Sequence, residues 1–324
     1  MADVFRDYSV SLDECAAILR RASLPGARAV RRIPRGEVNC LFDVELVDGR
    51  RVVLKVQVRG PRPEALHRER EACSLLAKAG IRGPSVIDTN TSRDLIPSNY
   101  SLLSYVPGLD GDAALKEFSS AEQAEVFRWL GRTLGRIHAI DVAGEPTVCA
   151  LPAGRPAAEW AAMQSRRFEA AHMRHKQHGY LPGRILDDAR AFWAERRSLL
   201  GRGRRLCLLH GDYQVWNVKL APPAREIAGV LDLDQVDVGE PEFDFAALEC
   251  GLLSTRADLR EAFRAGYSEI GAGDEVSEAR AQAYTLLRHL ELMLAYQGPV
   301  RYPDGAVSDA GAIARLISPG GPEG

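Results

Sequence analysis

The sequence predicts an α+β protein of two unequal lobes: a small β-rich N-terminal lobe over residues 1–106 and a larger, mainly helical C-terminal lobe over 107–324. Three observations point there. A chain of 324 residues is long for one hydrophobic core and suits two units of roughly 100–200 residues each. The texture changes at Pro107-Gly108, with short β-branched runs before it and helical periodicity after it. Hydrophobic content of 46% and charged content of 27% are ordinary for a globular chain in water.

The elements follow in order. Residues 11–24 (SLDECAAILRRASL) read as a helix, with Ser11 at the N-cap and Glu14 three places on in a capping-box pattern. "AVRRI", "LFDVELV" and "RVVLKVQV" are β-branched, partly alternating strands, and Asp48-Gly49 between the last two is a hairpin signal. The segment 34–40 is a glycine-containing turn. A helix covers 63–79 and stops at Gly80, and the strands "SVIDTN" and "YSLLSYV" complete the first lobe. Beyond Gly108, Val126, Leu130, Leu134 and Ile137 mark the core face of a long helix. Further helices are expected at 156–178 and 184–200, inside a segment (151–205) that reads as a helical insert. Two short apolar strands follow, "LCLL" and "AGVLDLD", then helices at "DFAALECGLL" and about 275–296. The tail 318–324 (SPGGPEG) has the composition of a disordered end.

Composition excludes several functions. A formal net charge of −2 gives no general pull toward nucleic acid or anionic membrane. No apolar run approaches the roughly 20 residues needed to span a bilayer, and the N-terminus lacks the layout of a secretion signal. Six cysteines without a CxxC pair read as reduced thiols of a cytoplasmic protein and offer no zinc pattern. Monomer and dimer are equally compatible with these features.

The chemistry lies in "LLHGDYQVWNVKL" (208–220) and the following "GVLDLDQVDVGEPEFDFAAL". The first loop offers Asp212 and Asn217, the second Asp232 and Asp234, each beside an apolar strand. Hard oxygen ligands from neighbouring strand ends suit Mg²⁺, which prefers carboxylates together with substrate phosphates. Upstream, Lys55 lies in the apolar strand "VVLKV", where a lysine is costly to bury without an anion, and the next helix offers Glu69 and Glu71 as partners. A glycine loop, strand lysine, helix glutamate, loop Asp and Asn, and metal Asp form, in that order, the parts of a phosphoryl-transfer site.

The pattern departs from protein kinases: HGD stands for HRD, Asp-Leu-Asp for DFG, and no APE-like motif follows. In these details the chain resembles the aminoglycoside phosphotransferase family, the choline-kinase-like group of small-molecule kinases with a protein-kinase-like fold. The resemblance runs from about residue 30 to 248. It rests on Gly36-Glu-Val-Asn39, Val53-Leu-Lys55, Arg68-Glu69, Leu134-Gly-Arg-Ile-His138, His210-Gly-Asp-x4-Asn217 and Leu231-Asp-Leu-Asp234-x4-Gly239-Glu-Pro241-x2-Asp244.

The resemblance implies that Asp212 is the catalytic base or orients the acceptor hydroxyl, and that Asn217 and Asp232 bind Mg²⁺, with Asp234 assisting. It implies that Lys55 contacts the nucleotide phosphates, paired with Glu69 in preference to Glu71. Gly36 and Asn39 would belong to the nucleotide-covering loop, and Ser104, Tyr105 and Val106 to the hinge beside the purine. Asp244 and His210 would brace the catalytic loop, and His138 would be a packed helix histidine. ATP or GTP would be the donor.

The acceptor is a small molecule whose identity the residues leave open. Residues 151–209 carry twelve Arg and Lys against five acids, and residues 236–324 seven Arg against fifteen acids. The basic insert brings Arg166, Arg167, His172 and His175 forward as acceptor contacts, against the plainer reading of a solvated basic face. Tyr213 and Trp216 line either the core or the acceptor cleft. The expectation is a sugar-bearing antibiotic: an aminoglycoside, a nucleoside or a related glycoside. The alternatives are a metabolic kinase for choline, a sugar or an amino alcohol, and an inactive kinase fold that only binds nucleotide.

Overall fold

A computed structural model describes residues 8–318 apart from 36–38, 61, 144–149, 203–204, 222–225, 272–275 and 303–304. The Gly36 turn and the tail beyond residue 318 therefore lie outside the described residues. Helix α1 (Leu12–Arg21) starts at the expected capping box, Ser11 Oγ accepting from Glu14 N while the Glu14 carboxylate accepts from Ser11 N. It buries Cys15, Ile18 and Leu19 against a five-stranded antiparallel sheet. The strands are β1 (Ala27–Ile33), β2 (Asn39–Leu46), β3 (Arg51–Gln57), β4 (Val86–Asn90) and β5 (Asn99–Ser104), in the order β1-β2-β3-β5-β4. Helix α2 (Pro63–Lys78) connects β3 to β4.

The two-residue period of β3 decides where the lysine goes. Val52, Leu54 and Val56 enter the core beneath α1, so Lys55 projects from the opposite face, toward α2. The five-stranded sheet ends at Ser104, and the chain crosses to the second lobe over 105–108. There β6 (Leu109–Asp110) already pairs with β8 (Val218–Ala221).

The second lobe continues with α3 (Gly111–Leu115) and α4 (Ser120–His138), the latter capped by a second Ser–Glu box, Ser119 with Glu122. Val126, Leu130, Leu134 and Ile137 are all buried on α4, as their spacing predicts. Helices α5 (Ala157–His178) and α6 (Gly183–Arg196) fall close to the helices expected at 156–178 and 184–200. Two short antiparallel pairs follow: β7 (Cys207–Leu209) with β10 (Asp237–Gly239), and β8 with β9 (Glu226–Val230). The catalytic-motif loops emerge between these strands. Helices α7 (Glu242–Cys250), α8 (Ala257–Ser268) and α9 (Glu278–Ala295) complete the lobe, followed by the hairpin β11 (Val300–Arg301)–β12 (Val307–Ser308) and α10 (Ala310–Ile317).

Helix α8, the last hairpin and α10 have no counterpart in the sequence reading. Yet α8 carries Leu259, Phe263 and Tyr267 on one buried face at the i, i+4, i+8 spacing of an amphipathic helix. It packs on α4 at backbone contact. A Cβ at Gly131 would lie 2.0 Å from the Phe263 carbonyl oxygen, and one at Gly266 would lie 2.0 Å from the Arg128 carbonyl oxygen. Replacing Gly131 by Val must therefore separate the two helices. Denaturant unfolding of Gly131→Val should show a loss of about 1–3 kcal/mol or more, as for overpacked cores; an unchanged midpoint would contradict this helix contact.

Candidate active site

The period of β3 that turns Lys55 toward α2 brings it under a carboxylate. Lys55 Nζ donates to Glu69 Oε1 at 2.9 Å and to Asp232 Oδ1 at 2.6 Å, and lies 3.4 Å from Asp234 Oδ2. Lysine and glutamate are 3% and 1% exposed, so neither charge has water to fall back on. Burial works against the ammonium, but Asp232, Asp234 and Glu69 outweigh it and hold the Lys55 pKa well above that of an ordinary lysine. Burial raises the Glu69 pKa despite Lys55. The second Glu69 oxygen accepts from Ser101 Oγ of β5 at 2.9 Å, which fixes the carboxylate in the plane between sheet and helix.

Of the two glutamates that the sequence offers, Glu69 meets Lys55. Glu71 points the other way and accepts from the backbone N–H groups of Ala150 and Leu151 at 2.8–3.0 Å. Asn39 lies at the start of β2, and its Nδ2 donates to Asp234 Oδ2 at 2.8 Å, joining the two lobes. Burial opposes ionisation of Asp234, but Lys55, the Asn39 hydrogen bond and Arg62 at 3.5 Å keep its pKa below the usual carboxylate value.

Asp232 follows β9 with φ 59° and ψ 61°, the left-handed region, which costs a non-glycine residue roughly 1–2 kcal/mol. The turn aims its carboxylate into the cleft, where it stays 40% exposed beside the buried Lys55. Leu231 N donates to the Asn217 carbonyl at 2.8 Å, tying this loop to the His210–Asn217 loop.

That second loop is built around Asp244, the first-turn acid of α7, which is fully buried. Its carboxylate accepts from the backbone N–H of His210 (2.7 Å) and of Gly211 (2.8 Å), and it meets His138 Nε2 at 3.1 Å. Gly211 sits at φ 84°, and a Cβ there would lie 2.2 Å from the Gln235 carbonyl oxygen, so the two loops touch at a position only glycine fits. His210 Nε2 faces the Leu231 carbonyl at 2.9 Å, while its Nδ1 accepts from Asp212 N at 3.3 Å. The loop thus presents Asp212, whose side chain is 20% exposed. Asn217 Nδ2 donates to the Asp212 backbone carbonyl at 2.8 Å and to Oδ2 at 3.2 Å, leaving the carboxamide oxygen for another ligand.

One group in this site has no counterpart in the sequence reading. Arg288 of α9 donates from a terminal guanidinium nitrogen to Asp212 Oδ1, and its other terminal nitrogen donates to the Gly211 carbonyl at 3.2 Å. The signal was an arginine amid Leu286, Leu287 and Leu290, an environment that demands a partner.

Ser104, Tyr105 and Val106 lie where the chain leaves β5 for the second lobe. Ser104 exchanges hydrogen bonds with the Ser85 backbone, Tyr105 carries the Arg51 guanidinium 3.8 Å above its ring, and Val106 is buried. The candidate acceptor residues divide. Tyr213 is fully buried and donates to the Leu130 carbonyl, so it packs in the core and is no cleft wall. Trp216 is half-buried and stacks on Tyr302 of the last hairpin, with ring centroids 6.0 Å apart.

His172 and His175 are corrected to core residues. They are buried, with Nε2 against the carbonyls of Leu186 (3.2 Å) and Leu290 (2.8 Å). The i, i+3 spacing does put them on one face, but that face packs on α6 and α9. Burial also lowers the His175 pKa. Arg166 is exposed, and Arg167 forms a two-pronged pair with Glu291 at 2.8 and 2.6 Å.

Residues 29–284 match the model of the phosphotransferase enzyme family known as APH, and the chain belongs to that family. Solved structures of similar fold include three enzymes. One is a thermostable mutant of aminoglycoside phosphotransferase APH(4)-Ia in ternary complex with ADP and hygromycin B (16% identity, 95% of this chain and 98% of that one, TM-score 0.64). Another is macrolide 2'-phosphotransferase MphH from Brachybacterium faecium (18% identity, 95% and 99%, TM-score 0.62). The third is APH(2")-IIIa with GDP and kanamycin (15% identity, 86% and 90%, TM-score 0.66). Among curated proteins, acyl-CoA dehydrogenase family member 10 of Mus musculus is 24% identical over 239 residues, and the matched region is 68% of this chain but only 20% of that protein.

The buried Asp244 generates a pH dependence. Burial opposes its charge, but the hydrogen bonds from His138 and from the His210 backbone outweigh that and lower its pKa below the ordinary value. A carboxylate with a depressed folded-state pKa stabilises above its unfolded pKa, and that stabilisation fades as pH falls through the folded value. Asp244→Asn should cost about 3 kcal/mol or more at pH 7, the scale of weakening several hydrogen bonds to a buried charged group. The gap to wild type should narrow below about pH 4, where unfolded Asp begins to protonate. A gap independent of pH, measured by urea unfolding across that range, would contradict a charged Asp244.

Proposed function

We propose that this member of the family transfers the γ-phosphoryl group of ATP or GTP to a hydroxyl of a small molecule, with Mg²⁺, and that its acceptor is a sugar-bearing antibiotic. The observation that carries the reading is the convergence of Lys55, Asp232, Asn217 and Asp212 at the junction of the lobes. The donor set fits Mg²⁺. Asp232 and the free carboxamide oxygen of Asn217 are hard oxygens, and one Lys55 ammonium among three carboxylates leaves an excess of negative charge for a divalent cation to balance. When bound, the ion would neutralise the charge of the donor's phosphates.

The protein's own residues do the remaining work. Lys55, held by Glu69, orients and neutralises the phosphates. Asp212 accepts the proton as the acceptor oxygen bonds to the γ-phosphorus, and the bond from that phosphorus to the bridging oxygen breaks to release a nucleoside diphosphate. Little covalent catalysis is required, so positioning and charge supply the rate. The hinge 104–106 would receive the purine, and Asn39 would link the nucleotide-covering loop to Asp234.

The excess of basic over acidic residues in 151–209 supports an acceptor that is neutral or anionic, such as a nucleoside or related glycoside, over a polycationic aminoglycoside. A metabolic hydroxyl (choline, a sugar or an amino alcohol) is the second reading. The cytoplasm, where nucleotide triphosphates and reduced thiols coexist, is the fitting compartment. No helix among the described residues is long and apolar enough to cross a membrane.

Incubation of the protein with Mg²⁺, ATP or GTP, and a panel of antibiotics and metabolites should yield a phosphorylated acceptor. Protection of growing cells by expression separates the antibiotic reading from the metabolic one. Asp212→Ala should lower turnover by at least about 10²-fold, as for loss of a positioned proton acceptor; near-normal turnover would remove Asp212 from that role. Asp232→Ala should abolish the rise in melting temperature that Mg²⁺ with nucleotide gives the wild type, and an undiminished rise would contradict its role at the metal.

A further inference from the structure

Arg288 meets the catalytic loop from a distant part of the chain. It lies 76 residues beyond Asp212, on α9, with its side chain only 16% exposed. Its two terminal nitrogens grip adjacent acceptors, the Asp212 carboxylate and the Gly211 carbonyl. From the other side, Asn217 Nδ2 holds Oδ2 and the backbone carbonyl of Asp212. The carboxylate is therefore clamped at both oxygens by donors from two elements. Nothing in its own loop could do this alone, because the Asn217 contact to Oδ2 is long at 3.2 Å and leaves rotation about the side-chain bonds cheap.

A planar fork suits the task better than an ammonium, since it can hold a carbonyl and a carboxylate at once with fixed geometry. Helix α9 is itself anchored at both ends of this contact. Toward its start, the Tyr284 hydroxyl donates to Glu240, and one turn beyond Arg288, Glu291 pairs with Arg167 of α5. The fork thus comes from a braced helix, so its geometry is imposed on the loop.

We propose that Arg288 is a positioning residue for the transfer: it fixes the rotamer of Asp212, with Oδ1 held by the guanidinium, so that Oδ2 is the oxygen turned to the acceptor hydroxyl. The inference rests on the proposed role of Asp212 and deepens it.

The test measures phosphate release from Mg–ATP and Mg–GTP with water as acceptor, alongside calorimetric nucleotide affinity, for the wild type, Asp212→Ala, Arg288→Met, Arg288→Lys and Arg288→Ala. Turnover of Arg288→Met and Arg288→Ala should fall by about 10–100-fold, the scale of a misplaced catalytic group, while nucleotide affinity stays within about threefold of wild type. Arg288→Lys should recover only part of the loss, and added ethylguanidinium should restore Arg288→Ala but not the double variant with Asp212→Ala. Wild-type turnover in Arg288→Met overturns the proposal, as does Arg288→Ala that binds nucleotide normally yet gains nothing from ethylguanidinium. If Arg288→Ala does not fold, Arg288→Lys decides: reduced turnover at unchanged nucleotide affinity supports positioning, and full turnover overturns it. Equal turnover in Asp212→Ala and wild type would instead remove the role of Asp212, and this inference with it. Impaired Asp212→Ala beside normal Arg288 variants would sink this inference alone.

Discussion

A single ammonium group holds the cleft together. Lys55 Nζ is buried on the inner face of the N-terminal sheet, with Glu69 of α2 on one side and Asp232 and Asp234 of the C-terminal lobe on the other. Removing that charge would leave two buried carboxylates, Glu69 and Asp234, facing the partly exposed Asp232 with no ammonium between them. Keeping it costs desolvation, which the three acids outweigh. The arrangement therefore fixes the sheet, the helix and the loop of Asp232 and Asp234 relative to one another.

Asp244 plays the corresponding part for the catalytic loop. It gathers the backbone N–H groups of His210 and Gly211 and the ring of His138 in a site without solvent. The rigidity passes outward through His210 to the Leu231 carbonyl and through Leu231 N to Asn217. Two loops separated in sequence become one unit, carrying Asp212, Asn217 and Asp232 on a single edge. A site held in this way is ordered before substrate arrives, which suits chemistry governed by placement and charge.

Much of this was legible from residues. The β3 pattern put Lys55 opposite Leu54 and Val56, and counting along α2 favoured Glu69; both depend on local periods that the fold keeps. The HGD-x4-N and DLD spacings marked the two loops because short strands on either side leave no other place for them. Long-range contacts were not legible. Glu71 stays open as the alternative to Glu69 in the sequence because nothing local reveals that its carboxylate holds the backbone at 150–151, 79 and 80 residues away. The histidines of α5 suggested a basic face because their spacing cannot reveal which neighbour covers them, and α6 and α9 do. Helix α8 was missed although its Leu259, Phe263 and Tyr267 stripe was present, since Gly266, which lets it meet α4, weakens a purely local helix reading. Arg288 escaped because its partner lies 76 residues earlier.

The central claim is that Lys55 is both the pin of the cleft and the receptor for the donor's phosphates. Calorimetric titration of Mg–ATP and Mg–GTP into wild type, Lys55→Met and the double variant Lys55→Met with Glu69→Gln tests it most directly, together with urea unfolding of the same proteins. The expected result is a Lys55→Met protein destabilised by about 3–5 kcal/mol. Stability should return in part when the orphaned Glu69 charge is also removed, while nucleotide binding stays lost in both variants. Unchanged nucleotide affinity in a folded Lys55→Met protein would contradict it.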